Sequence, residues 1–77
     1  LEDIGAGFDI LSIQVSEGAP VAGKTLSEVN FPRGALVLSE KQKRKIAGPE
    51  MKLEPGQSYV IAVEPDVSDE VVNLMGG

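Results

Sequence analysis

The sequence predicts an α+β fold: a small mixed sheet closed towards a barrel, in the order strand, short helix, three strands, helix. Three observations predict it. "FDILSIQV", residues 8 to 15, alternates with period two. "ALVLS", residues 35 to 39, and "SYVIAVE", residues 58 to 64, are apolar runs rich in branched residues and too short for helices. "DVSDEVVNLMG", residues 66 to 76, spaces its apolar residues as a helix does. At 77 residues the chain holds one domain with a modest core, since roughly 60% of the unfolded surface is buried at this size. It opens on Leu1 rather than Met, so a domain excised from a longer protein is expected.

In the first strand Leu11, Ile13 and Val15 share one face and Ser12 and Gln14 the other, while Phe8 and Ile10 make its start apolar on both sides. "SEGAP" is a loop. Thr25 and Glu28 have the spacing of a capping box, with Leu26 and Val29 as the inward face of a short helix that Pro32 stops. After "ALVLS", the stretch "EKQK" makes a turn and a further strand is expected around residues 43 to 47. Pro55-Gly56 suits the centre of a type II turn before the strand at 58 to 64, which Pro65 ends. Ser68 is expected to cap the last helix, residues 68 to 75. Asp69 and Glu70 lie in its first turn, Val67, Val71, Leu74 and Met75 on its apolar face, and Gly76-Gly77 at its end.

Composition removes several chemistries. No apolar run approaches the ~18 residues of a membrane span, so the chain is not expected to insert into a membrane. It has no cysteine and no histidine, which leaves no disulfide, no thiolate and none of the usual transition-metal ligands. The net charge of −5 and only three aromatic residues argue against nucleic-acid binding. Residues 1 to 39 sum to −3, residues 40 to 52 to +3 and residues 53 to 77 to −5, so a single basic hairpin lies in an acidic chain.

"GAPVAGKT", residues 18 to 25, fits the G-x-x-x-x-G-K-[ST] pattern of a P-loop. The context disagrees. Pro20 has no N–H for a phosphate, the helix after Thr25 is too short to serve as a crossover, and the chain is too short for the parallel sheet such enzymes require. A P-loop hydrolase fragment is therefore the remote alternative, and no enzyme is expected.

"SEGAPVAGKTLSEVNFP" resembles the opening of the C-terminal domain of regulator of potassium conductance proteins, the TrkA C-terminal domain. The shared features are an acidic-glycine turn, a small residue before proline, Gly-Lys-Thr-Leu and an acidic residue after it. "ALVLS" is similar to that family's second strand, "MKLEPGQSYVIAV" to its turn and last strand, and "DVSDEVVNLMG" to its closing helix, so the resemblance covers residues 9 to 76. Pro20, Gly23, Thr25, Leu26, Leu53 and Gly56 carry the structural motif. Two positions depart: Gln57 stands where the family usually has Asp, and Ser39-Glu40-Lys41-Gln42-Lys43 where it has Arg and a glycine turn.

The resemblance implies a cytoplasmic regulatory domain of a potassium channel or other membrane ion transporter, pairing as a homodimer and sensing a regulatory ligand such as a cyclic dinucleotide or an ion. A purely structural dimerisation module is the alternative. Lys41, Lys43, Arg44 and Lys45 are the candidate ligand-binding residues, as the only clustered cations. The bland account of the same four is a solvated hairpin tip that protects an edge strand. No catalytic residue, metal ligand or resident cofactor is expected.

Overall fold

A computed structural model describes residues 7–76. Four strands form one sheet: β1 (Asp9–Gln14), β2 (Ala35–Glu40), β3 (Lys45–Ile46) and β4 (Ser58–Val63). They are followed by a 3-10 turn (Pro65–Val67) and one helix, α1 (Ser68–Leu74). The sheet order is β1-β4-β2-β3. Strand β4 lies at the centre because it is apolar on both faces: Tyr59, Ile61 and Val63 are fully buried, while Val60 and Ala62 point to the opposite face.

Every strand pair is antiparallel, so the expected mixed sheet is not formed. β1 and β2 do run in the same direction, but each pairs with a different edge of β4, and no parallel ladder arises. Nor does the sheet close into a barrel: β1 and β3 are its two open edges. The strand expected at residues 43 to 47 shrinks to two residues. Lys43 and Arg44 belong to the turn before it, where Arg44 takes a left-handed φ of 55°, and Gly48-Pro49 comes soon after, proline having no N–H for a ladder.

The inner face of the sheet is covered by two irregular segments and α1. Val15, Val21, Leu53, Val71 and Met75 close over Ile61 and Val63 with essentially no exposure. Residues 23 to 27 lie along residues 49 to 53 as a small ladder: Gly23 N–H donates to Leu53 O at 2.8 Å, Leu53 N–H to Lys24 O at 2.8 Å and Leu26 N–H to Met51 O at 2.9 Å. This ladder explains why the helix expected after Thr25 does not form. A helix start leaves its first N–H groups free for a cap, but here Leu26 N–H is taken by Met51 O and Ser27 N–H by Pro49 O. The chain makes only a single turn after Thr25, closed by Glu28 N–H to Thr25 O at 3.0 Å.

Helix α1 also begins differently from expectation. Val67 occupies the cap position and Ser68 is the first helical residue, its hydroxyl donating to Pro65 O at 3.0 Å. The acidic first turn and the apolar face are as expected, Val71 and Met75 being fully buried. Gly76 ends the helix with φ 89°, and a Cβ there would lie 2.6 Å from that of Ser16. Gly77 lies outside the described residues. The Pro55-Gly56 turn is formed as expected, with φ 87° at Gly56 and Gln57 N–H donating to Glu54 O at 3.1 Å.

Tyr59 is fully buried, and its hydroxyl makes two hydrogen bonds to one segment: it donates to Lys52 O at 3.0 Å and accepts from Glu54 N–H at 2.9 Å. Removing the hydroxyl leaves a donor and an acceptor without this partner in a part-buried place. Tyr59→Phe is expected to lower the unfolding free energy by about 1–3 kcal/mol. Urea titration followed by circular dichroism measures this, and a change of under half a kilocalorie would contradict the role given to the hydroxyl.

Candidate functional site

The four cations of the β2–β3 hairpin are all exposed, but the backbone does not gather them into one patch. Lys43 and Lys45 line a cavity of about 430 Å³ between the hairpin and residues 48 to 54, whereas Lys41 and Arg44 do not. The hairpin is tied to β4 by Lys41 N–H to Ser58 O at 2.9 Å and by the Gln42 side-chain oxygen, which accepts from Ser58 N–H at 2.9 Å. A third cation, Lys52, reaches the cavity from the opposite wall, together with Glu50 and Glu54.

The sequence pattern assigns Glu40 to the turn. It is instead the last residue of β2, only 4% exposed, and it lines the same cavity. The cause is a β-bulge. Val37 pairs with Ile61, but Val60 is met by Ser39 rather than Leu38, so β2 carries one extra residue. Without it, alternation would aim Glu40 at the outer face. With it, Glu40 pairs with Tyr59 and shares that residue's inner side. One carboxylate oxygen of Glu40 has no hydrogen-bond partner. Burial holds the Tyr59 hydroxyl above its ordinary pKa, with the Glu40 and Glu54 charges adding to the effect against the Glu54 N–H bond.

The "GAPVAGKT" loop has no phosphate cradle. The N–H groups of Ala22, Gly23 and Lys24 donate to Ala19 O, Leu53 O and Val21 O at 2.8–3.1 Å, so the amides a P-loop would aim at a nucleotide are already used. Thr25 holds Glu28: the Glu28 carboxylate accepts from Thr25 N–H at 2.8 Å and from the Thr25 hydroxyl at 3.1 Å. One half of the expected capping box is therefore present, at a turn rather than a helix.

The outer face of the sheet has an apolar end and a polar end. Phe8, Ile10, Leu36, Leu38 and Ala62 line a shallow hollow of about 400 Å³ with Glu64 at its rim. Ser12, Gln14, Ser39 and Ser58 occupy the other end of the same face. Leu36 is 64% exposed and Ile10 55%. An antiparallel sheet with one free face normally makes that face polar, and the exposed apolar end departs from that rule.

An antiparallel sheet whose inner face is roofed by a Gly-Lys-Thr-Leu ladder and a short C-terminal helix defines a small α+β domain. The chain belongs to the TrkA-C domain family, whose model matches residues 10–76. That family is associated with the regulation of potassium transport proteins and is regulatory rather than catalytic. No curated protein matches the chain. Among the described residues no helix is long and apolar enough to cross a membrane.

The motif residues have structural places. Gly23 supplies a φ of 81° at the start of the small ladder, and Thr25 bridges Lys52 within it. Leu26 packs against the core, Leu53 is fully inside it, and Gly56 makes the turn into β4. Pro20 is exposed in the loop that precedes the ladder. Gln57, the departure at that turn, keeps its backbone role by accepting from Val15 N–H at 2.9 Å, but its side-chain oxygen is buried without a partner.

The Thr25 N–H bond and then the Thr25 hydroxyl hold the Glu28 carboxyl below its ordinary pKa against an opposing desolvation, with smaller help from Lys24 and Lys52. A depressed folded-state pKa gives stability that is present above the unfolded value of about 4.3 and lost as pH falls through the folded value. Wild type is therefore expected to lose its stability advantage over Glu28→Gln below that pH, the gap between their melting temperatures narrowing. A gap independent of pH would show that the contact does not select the charged form.

Proposed function

We propose that this domain is the cytosolic, ligand-sensing and dimerising part of a potassium channel or another membrane ion transporter. The observation that carries the reading is the cavity beside the hairpin. It brings Lys43 and Lys45 of the hairpin together with Lys52 of the segment that follows it, so an anionic group of a regulatory ligand meets three cations from two walls. Lys41 and Arg44 serve the hairpin tip and the guarding of the β3 edge. Regulation of transport accords with family membership, and the two surfaces give it a means: a place for a ligand and a face for a second copy.

The apolar end of the outer face is the proposed dimer contact. Phe8, Ile10 and Leu36 are the exposed large hydrophobic residues of this face, each 43% or more exposed, and burying them together favours a partner. The alternative, a structural dimerisation module with no ligand, is favoured by this face taken alone.

Sedimentation equilibrium is expected to show a dimer at high micromolar concentration, and Leu36→Glu to shift it to monomer with the circular dichroism spectrum unchanged. A wild-type monomer at that concentration argues against pairing through this face. Calorimetric titration with cyclic dinucleotides, nucleotides and simple anions is expected to give saturable binding that weakens with added salt and falls at least tenfold in a Lys43→Ala, Lys45→Ala variant. Binding that survives the double substitution places the ligand elsewhere, and silence across the series favours the structural module.

A further inference from the structure

The hairpin cavity has a feature that a plain anion site would not have. Its walls carry three lysines, Lys43, Lys45 and Lys52, and three glutamates, Glu40, Glu50 and Glu54, so its formal charge is balanced but divided. Glu40 is the unusual member. It is only 4% exposed, the β2 bulge turns it inward, and one of its oxygens has no partner. A buried carboxylate left in that condition is costly, and bulges that re-aim a side chain concentrate at functional sites.

The occupant must satisfy both signs. An anion alone would meet the lysines but leave Glu40 repelled and unpaired. A bare metal ion is disfavoured by the three lysines, and among the described residues no group of three acidic side chains is placed to hold one. Lys45 is the cross-strand partner of Glu40 in the β2–β3 register and is the obvious internal competitor, yet the Glu40 oxygen remains unpartnered.

We propose that the cavity binds a small zwitterion, its ammonium group donating to Glu40 and its carboxylate or phosphate held by Lys43, Lys45 and Lys52. The proposal rests on the sensing role given above and adds the class of ligand. A cavity of about 430 Å³ falls within the range of small-molecule sites, ~300–1,000 Å³. Glu40 lines the cavity, but its unpartnered oxygen is itself closed to solvent, so the ammonium end reaches it through a turn of the Glu40 side chain, on the side where hydrogen bonds to a carboxylate are least screened, and the anionic end faces the exposed lysines.

The test is calorimetric titration of the 77-residue chain with phosphoethanolamine, glycine and L-aspartate, beside inorganic phosphate and ethylammonium, which carry one sign each. At least one zwitterion is expected to bind saturably and tenfold or more tighter than either single-sign probe. Glu40→Gln should bring it down to the level of the single-sign probes. Lys52→Met, at an exposed side chain, should weaken it as well with the melting temperature kept, which guards against a Glu40 variant that fails to fold. Phosphate binding as tightly as the zwitterions and insensitively to Glu40→Gln would overturn the ligand class and leave sensing at the hairpin standing. No zwitterion binding, with a cyclic dinucleotide still bound, would overturn it too. Silence from every probe would remove both readings, and a double-mutant cycle of Glu40→Gln with Lys45→Met would then show strong coupling of that pair.

Discussion

The structure depends on the Tyr59 hydroxyl more than on any other single group. Tyr59 lies on the central strand with no exposure, and its two hydrogen bonds fix Lys52 and Glu54 on the segment that roofs the inner face. That segment in turn pairs with residues 23 to 27. With one short helix and no second sheet among the described residues, the roof takes its backbone bonds from the small ladder, and Lys52 O and Glu54 N–H find their partner in the tyrosine. The tyrosine supplies what a regular element would otherwise supply. It also sets the spacing of Lys52 and Glu54 over the hairpin cavity, joining core and site in one side chain.

The parts legible in the sequence are those governed by local periodicity. β4 reads from its apolar, branched run, which marks a strand without telling its faces apart; pairing makes Tyr59, Ile61 and Val63 the buried one. α1 reads from Val71 and Met75, and the turn before β4 from Pro55-Gly56. The helix expected after Thr25 fails because a capping box is a local signal, and the N–H groups it needs are claimed by Met51 and Pro49, far along the chain. The mixed sheet fails for a related reason: it requires a helix between β1 and β2 to bring them side by side, and β4 lies between them.

The candidate site is half legible. Composition locates the basic hairpin, but Lys41, Lys43, Arg44 and Lys45 look alike in sequence, and only the two-residue length of β3 and the left-handed Arg44 decide which of them face the cavity. Glu40 gives no usable signal. Simple alternation from Val37 through Leu38 and Ser39 sends it outward, and the extra residue that reverses this is a property of pairing with β4 rather than of "ALVLSE" itself. The one hint is the departure from the family pattern at this point, where Ser39-Glu40-Lys41-Gln42-Lys43 stands in place of Arg and a glycine turn.

The two surfaces that bear on function share one strand. β2 points Leu36 at the outer hollow and Glu40 into the cavity, with the bulge between them. A ligand shifts an equilibrium only as far as it binds one arrangement better than another, so an occupied cavity affects pairing at the outer face only if β2 itself has two arrangements. A bulge is the place where a strand changes register most cheaply, since the extra residue is already unpaired and the ladder already broken there. The hairpin beyond it is held to β4 through Ser58 by Lys41 N–H and the Gln42 side chain, and to β3 by two paired residues. That is a light attachment compared with the six-residue ladder of β1 on β4. A change at that bulge would be felt at both surfaces, because Leu36 lies on one side of it and Glu40 on the other.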